Sequence, residues 1–162
     1  MPVLQWSETL SLGLPQMDET HQEFVVLLAR VETADDARLV PAWRALIEHT
    51  VEHFGREDAW MRSTGFTSTH CHTVQHRVVL EVMGEGLVQG LKGQNAPIRH
   101  MASELAVWFV QHAQTMDAAL ALHLRSVGFD AATGELLRAQ RACAKPSQAV
   151  HAEARREPLA ST

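Results

Sequence analysis

Four stretches of this chain repeat apolar residues every three or four positions, and each also carries histidine on that same stripe. The first steps through Leu14, Met17, His21, Phe24, Leu28 and Val31, the second through Trp43, Leu46, Thr50, His53, Glu57 and Trp60. The third gives His72, His76, Val79, Met83 and Leu87, and the fourth Met101, Leu105, Trp108, His112, Met116 and Ala119. That spacing belongs to α-helices with one buried face. No run alternates with period two, so a sheet is improbable. Between the stretches, Asp35-Asp36 precedes Pro41, a residue suited to a helix's first turn, and Ser63-Thr64-Gly65 ends the second block. Thr67 or Ser68 is placed to cap the third block, and Gly90, Gly93, Asn95 and Pro97 separate the third from the fourth.

Short connections make sequential helices antiparallel neighbours. The expected fold is therefore all-α, an up-down-up-down antiparallel four-helix bundle over about residues 17–33, 39–64, 68–91 and 97–127, closed by Gly128. Residues 1–16 form an N-terminal arm to the bundle domain, 1–129, and 130–162 a C-terminal extension. Within the extension, 134–144 reads as a short fifth helix and 145–162 as a mobile tail.

With 162 residues, 46% hydrophobic and 20% charged, the chain suits one such domain. No apolar run approaches the ~20 residues of a membrane span, and Met1 to Trp6 lacks the basic region of a secretory signal. Cys71 and Cys143 are too few for a disulfide framework, so a soluble, cytoplasmic protein is expected. A formal net charge of −5 leaves no basic footprint for nucleic acid or an anionic membrane. Against that background, ten histidines beside 14 Lys+Arg are out of proportion.

Residues four apart on a helix differ by only ~40° in azimuth, so His72 with His76, and His53 with Glu57, can each grip one ion from a single face. His21 and His112 sit on the remaining stripes. Asp117 follows His112 by five residues, a separation of ~140° in a regular helix, which suits an aspartate leaning along the bundle toward a second ion. Two six-coordinate ions present about twelve positions; five imidazoles, two bridging carboxylates and one bridging hydroxide leave one open. Imidazole-rich, thiolate-free coordination suits iron, and an open position on a redox-active ion suits a small molecule such as O2. Phe54, Trp108 and Phe109 flank these histidines and would wall the site against water.

These residues resemble the hemerythrins, and among them the bacteriohemerythrins. The resemblance lies in Gln5 to Leu14 with Met17-Asp18-Glu19-Thr20-His21, in His53-Phe54-Gly55-Arg56-Glu57 with Met61, in His72-Thr73-Val74-Gln75-His76, and in Trp108 to Asp117. It runs in order from about Leu4 to Gly128. Each motif is weak alone; their ordered set is specific. The resemblance implies reversible O2 binding at a non-haem di-iron centre, in a carrier, store or scavenger rather than an enzyme. It further implies that His72, His76 and His112 hold one iron (Fe2+/Fe3+) and His21 and His53 the other, with Glu57, Asp117 and a hydroxide or oxide bridging. Phe109 and Ala113 stand where the family often has Leu and Ile, so the O2 pocket formed with Phe54 and Trp108 has its own shape. NO or small anions are further ligands that the resemblance implies, and a reductase or an O2 recipient a further partner, for a monomer or weak homo-oligomer.

The alternatives are an O2 or redox sensor acting through a partner, and a di-iron redox enzyme of peroxidase type. No Glu-x-x-His pair of the oxygen-activating bundles occurs, which weighs against the enzyme. His49 competes with Glu57 as the partner of His53, and the Phe54 context favours Glu57. Cys71 reads as a packing residue, and His100, His123 and His151 as exposed.

Overall fold

The computed structural model describes residues 4–136. After a 3-10 turn at Glu8–Leu10 come α1 (Pro15–Thr33), α2 (Asp36–Thr64), α3 (Thr69–Leu91) and α4 (Asn95–His112). A π-helical turn, Ala113–Asp117, joins α4 to α5 (Ala118–Ser126), so these three make the fourth rod of the bundle. Each rod packs on the next and α1 closes on α4, giving the four-helix bundle that the periodicity predicts. No described helix is long and apolar enough to cross a membrane.

Local chemistry fixes the ends. Pro15 opens α1, where its missing N–H is no loss. Asp35 caps α2, its carboxylate accepting the Arg38 N–H at 3.0 Å, so α2 starts earlier than expected and Pro41 lies inside it. Gly65 ends α2 at φ +66°, a left-handed conformation that costs glycine little. Gly90, expected as a break, is instead buried in the last turn of α3; a Cβ there would lie 2.5 Å from Ile98 Cδ1, so the glycine lets α4 approach closely.

The arm is tied down by Asp18, which accepts from the Ser11 hydroxyl at 2.7 Å and from the N–H groups of Leu12 and Gly13 at 2.7 and 3.2 Å. Beyond α5, Phe129–Asp130 (β1) pairs antiparallel with Glu135–Leu136 (β2). This corrects two expectations: a small ladder exists, and residues 134–136 are not helical. Asp130 accepts the Ala132 N–H at 2.8 Å and Gly134 adopts φ +73°, which builds a turn, and a two-residue ladder leaves no periodic trace. The remainder of the expected fifth helix, the tail, Cys143 and His151 lie outside the described residues.

Two apolar clusters fill the bundle. One holds Phe24, Leu28, Trp43, Leu46, Met83, Ile98, Leu105 and Phe109; the other holds Met17, Trp60, Met61, Leu120, Leu124 and Phe129. Between them along the rods lies a buried layer of His21, His53, Glu57, His72, His76, His112 and Asp117. Ionisable side chains without water are expensive unless each finds a partner of opposite character.

Candidate metal centre

Each rod contributes to this layer through the turn periodicity of its own sequence. His21 comes from α1, His53 and Glu57 from successive turns of α2, His72 and His76 from successive turns of α3, and His112 from the end of α4. Asp117 is where sequence and structure part. Five residues from His112 it would diverge in a regular helix, but the π turn absorbs one residue and returns it to the inner face. Its Oδ1 lies 3.2 Å from His112 Nε2. The same turn shifts the inner stripe of the last rod, so Leu120 and Leu124 are buried and Ala119 is exposed.

The two carboxylates divide their oxygens between two groups of imidazoles. Glu57 Oε1 lies 3.0 Å from His53 Nε2 and 3.8 Å from His21 Nε2, whereas its Oε2 lies 3.3 Å from His76 Nε2 and 3.7 Å from His72 Nε2. Asp117 Oδ2 lies 3.3 Å from His21 Nε2, and its Oδ1 3.0 Å from His72 Nε2. Two overlapping clusters result, Glu57-His72-His76-His112-Asp117 and His21-His53-Glu57-Asp117, in each of which the donor atoms lie within 4.8 Å of one another.

Several of these atoms, although close to opposite partners, are buried without a hydrogen bond among the described residues: His21 Nε2, Glu57 Oε2 and both oxygens of Asp117. Cations between the imidazoles and carboxylates would satisfy all of them, so the donor set fits two metal ions. In the metal-free chain, protons do part of that work. Burial disfavours a charged His21, but the facing carboxylates of Asp117 and Glu57 outweigh it and push its pKa up to about 9. Burial likewise raises the Glu57 carboxyl, and the surrounding His53, His21 and His76 reverse this and hold it well below the usual carboxylate range. Asp117, opposed by burial and by the charge of Glu57, is lowered by its contacts with His112, His21 and His72.

The comparisons with known proteins bear on this geometry. Residues 12–122 match the family described as Hemerythrin, the hemerythrin HHE cation binding domain. The chain belongs to the hemerythrin family. A bacteriohemerythrin of Ralstonia nicotianae is 40% identical over 131 residues, covering 81% of this chain and 96% of that one. A bacteriohemerythrin of Pseudomonas aeruginosa is 22% identical over 122 residues, covering 73% and 79%. The crystal structure of a leucine-to-alanine mutant of a hemerythrin shares the fold at a TM-score of 0.70, with 18% identity over 76% of this chain and 98% of that one.

In this hemerythrin domain the expected wall residues touch the buried histidines. Phe54 lies flat on His76, ring centroids 3.9 Å apart, and Trp108 stacks on His112 at 4.4 Å. Phe109 meets His21 edge-on at 5.2 Å and stacks on Phe24 at 4.3 Å. Ala113 has no exposed surface. His49 stands outside both clusters, its Nε2 3.1 Å from the Thr20 carbonyl. Cys71 is exposed, not packed, because it falls on the outer side of α3 next to inward-facing His72. His123, expected to be exposed, is half-buried beside the C-terminal end of α2, with Nε2 3.2 Å from the Thr64 carbonyl.

Three neighbours of the histidines escaped the sequence reading. Phe24 backs Phe109, Asp58 meets His76, and Gln75 meets His112. Phe24 was legible only as core. Asp58 follows Glu57 and Gln75 precedes His76, but adjacent helix positions point in different directions, so their partners are set by helix packing.

Proposed function

We propose that this protein reversibly binds O2 at a non-haem di-iron centre held by His21, His53, Glu57, His72, His76, His112 and Asp117. The observation that carries the reading is the division of each carboxylate: one oxygen of Glu57 and one of Asp117 serve each imidazole group. His21 and His53 would hold one ion, His72, His76 and His112 the other, and Glu57 and Asp117, with a hydroxide or oxide, would bridge. Five imidazoles and no thiolate suit iron. When bound, an iron pair supplies redox-active ions with one open position for a small ligand. Family membership supports O2 as that ligand.

The protein's own part is to hold and to exclude. Glu57 and Asp117 bring two negative charges into an apolar interior and so offset much of the charge of two cations. His21 and His53 make the group with fewer imidazoles, and beside them Phe109, backed by Phe24, presents an aromatic edge. Phe54 and Trp108 cover the faces of His76 and His112. With Ala113 these residues form an apolar wall that keeps water and its protons from the centre, which favours release of O2 unchanged over its reduction. We take residues 1–129 as the binding unit and 130–162 as its extension. The protein acts as a carrier, store or scavenger in a bacterial cytoplasm and not as an enzyme.

Iron content and the visible spectrum of anaerobically reduced protein, before and after O2 and again after deoxygenation, test this. Two irons per chain are expected, with an absorption band that appears with O2 and disappears on its removal. Rapid irreversible oxidation would overturn the binding reading in favour of a redox enzyme or sensor, and zinc or no metal would overturn the centre itself.

A further inference from the structure

Every imidazole that offers Nε2 to the centre has a second ring nitrogen, and its surroundings differ from one histidine to the next. His76 Nδ1 donates to Asp58 Oδ1 at 3.0 Å, and the same oxygen accepts the Thr73 hydroxyl at 3.2 Å. Phe54 fixes the plane of that ring, lying 5° from parallel to it. His112 Nδ1 donates to the neutral Gln75 Oε1 at 2.9 Å. The Nδ1 atoms of His21, His53 and His72, in contrast, are buried with no hydrogen-bond partner among the described residues. Among the described residues, His76 is thus the member of the five whose outer nitrogen meets a carboxylate.

An outer carboxylate keeps the proton of an imidazole on Nδ1, leaves Nε2 free to coordinate, and makes the ring a stronger donor. Asp58 is 19% exposed and His76 2%, so water competes little for this bond. Both supported rings, His76 and His112, belong to the three-histidine group, while His21 and His53 have no such support. We propose that Asp58 is a positioning residue which, through His76, strengthens the hold on the ion of the His72, His76, His112 group and so makes the two sides of the centre unequal. This rests on the ligand set proposed above, but not on O2 being the ligand.

The test is a titration of metal-free protein with Co2+, followed by its visible spectrum, in the parent, Asp58→Ala and Asp58→Asn. In the parent two binding steps are expected. Asp58→Ala should weaken one step on the order of 10–100-fold and leave the other unchanged. Asp58→Asn keeps an acceptor oxygen and removes the charge; it should restore most of that affinity while raising the midpoint potential of the iron-loaded protein, since less negative charge then favours the reduced ions. In zinc-loaded protein, the 15N shift of His76 Nδ1 should move in Asp58→Ala while those of His72 stay. Far-UV circular dichroism of metal-free Asp58→Ala, expected to match the parent, separates this from loss of fold. Equal weakening of both steps, or no change in affinity and potential, would overturn the assignment. Parent protein that takes up no Co2+ would overturn it together with the ligand set. An Asp58-dependent step in a protein whose iron form binds no O2 would uphold it while removing the O2 reading.

Discussion

Deleting Gln114 and deleting Ala119 each remove one exposed residue from the same rod, and the π turn between α4 and α5 makes their outcomes opposite. Each residue of an α-helix turns the chain ~100° and advances it ~1.5 Å. A π turn is one residue too many for that repeat, so losing Gln114 converts Ala113–Asp117 to a regular turn. Asp117 then follows His112 by four residues, ~40° apart, and stays on the inner face with α5 in register. Losing Ala119 instead keeps the π turn and rotates everything after it by ~100°. Leu120 and Leu124, each with no exposed surface against Met17, Trp60, Met61 and Phe129, then leave the interior.

At 1.5–3 kcal/mol for each leucine, the second deletion costs about 3–6 kcal/mol, a large part of the ~5–15 kcal/mol that holds a domain together. Urea denaturation of the metal-free proteins and iron content of the loaded ones measure both. The Gln114 deletion is expected within ~1 kcal/mol of the parent, near the worth of one hydrogen bond, and with the same iron content. The Ala119 deletion is expected to lose most of its stability. Comparable losses in the two, or iron lost on deleting Gln114, would show that the π turn is not what aligns Asp117.

Other outcomes follow from the same geometry. His53→Ala and Glu57→Ala are each expected to lower iron content, measured by elemental analysis, while circular dichroism still reports a helical bundle; unchanged iron in both would remove them from the ligand set. Phe109→Ala empties a buried site between Phe24 and His21 and should cost about 3–5 kcal/mol in denaturation. The same change should speed air oxidation of the ferrous protein, and an unaltered oxidation rate would show that Phe109 does not shield the centre. In metal-free protein, His21 has a pKa of about 9 against an ordinary 6.5, so its stabilising protonation is complete below pH ~6.5 and lost as pH rises through ~9. Glu57 and Asp117, held low, contribute above the ordinary carboxylate range and lose that contribution as pH falls through their depressed values. The thermal midpoint of metal-free protein is therefore expected to decline on both sides of a mildly acidic plateau between the ordinary carboxylate range and pH ~6.5; a midpoint climbing between pH ~7 and ~9.5 would contradict the His21 assignment.

Much of this molecule is local and so is written in the chain. Helical period put His21, His53, Glu57, His72, His76 and His112 on inner stripes, because every fourth residue returns to nearly the same azimuth whatever the helix later packs against. Asp35, Gly65 and the short loops fixed where the rods end, and short loops leave sequential helices little choice but to pack antiparallel. The packed bundle decided the rest. Asp117 reaches the inner face only through a π turn, which a regular 3.6-residue period does not anticipate. Which oxygen of Glu57 faces which imidazole, and that Asp58 supports His76 while His72 goes unsupported, depend on the relative rotation of α2 and α3. Cys71 and His123 exchanged their expected environments for the same reason: a sequence fixes the angle of a residue on its own helix, and only the neighbouring helices determine what stands opposite.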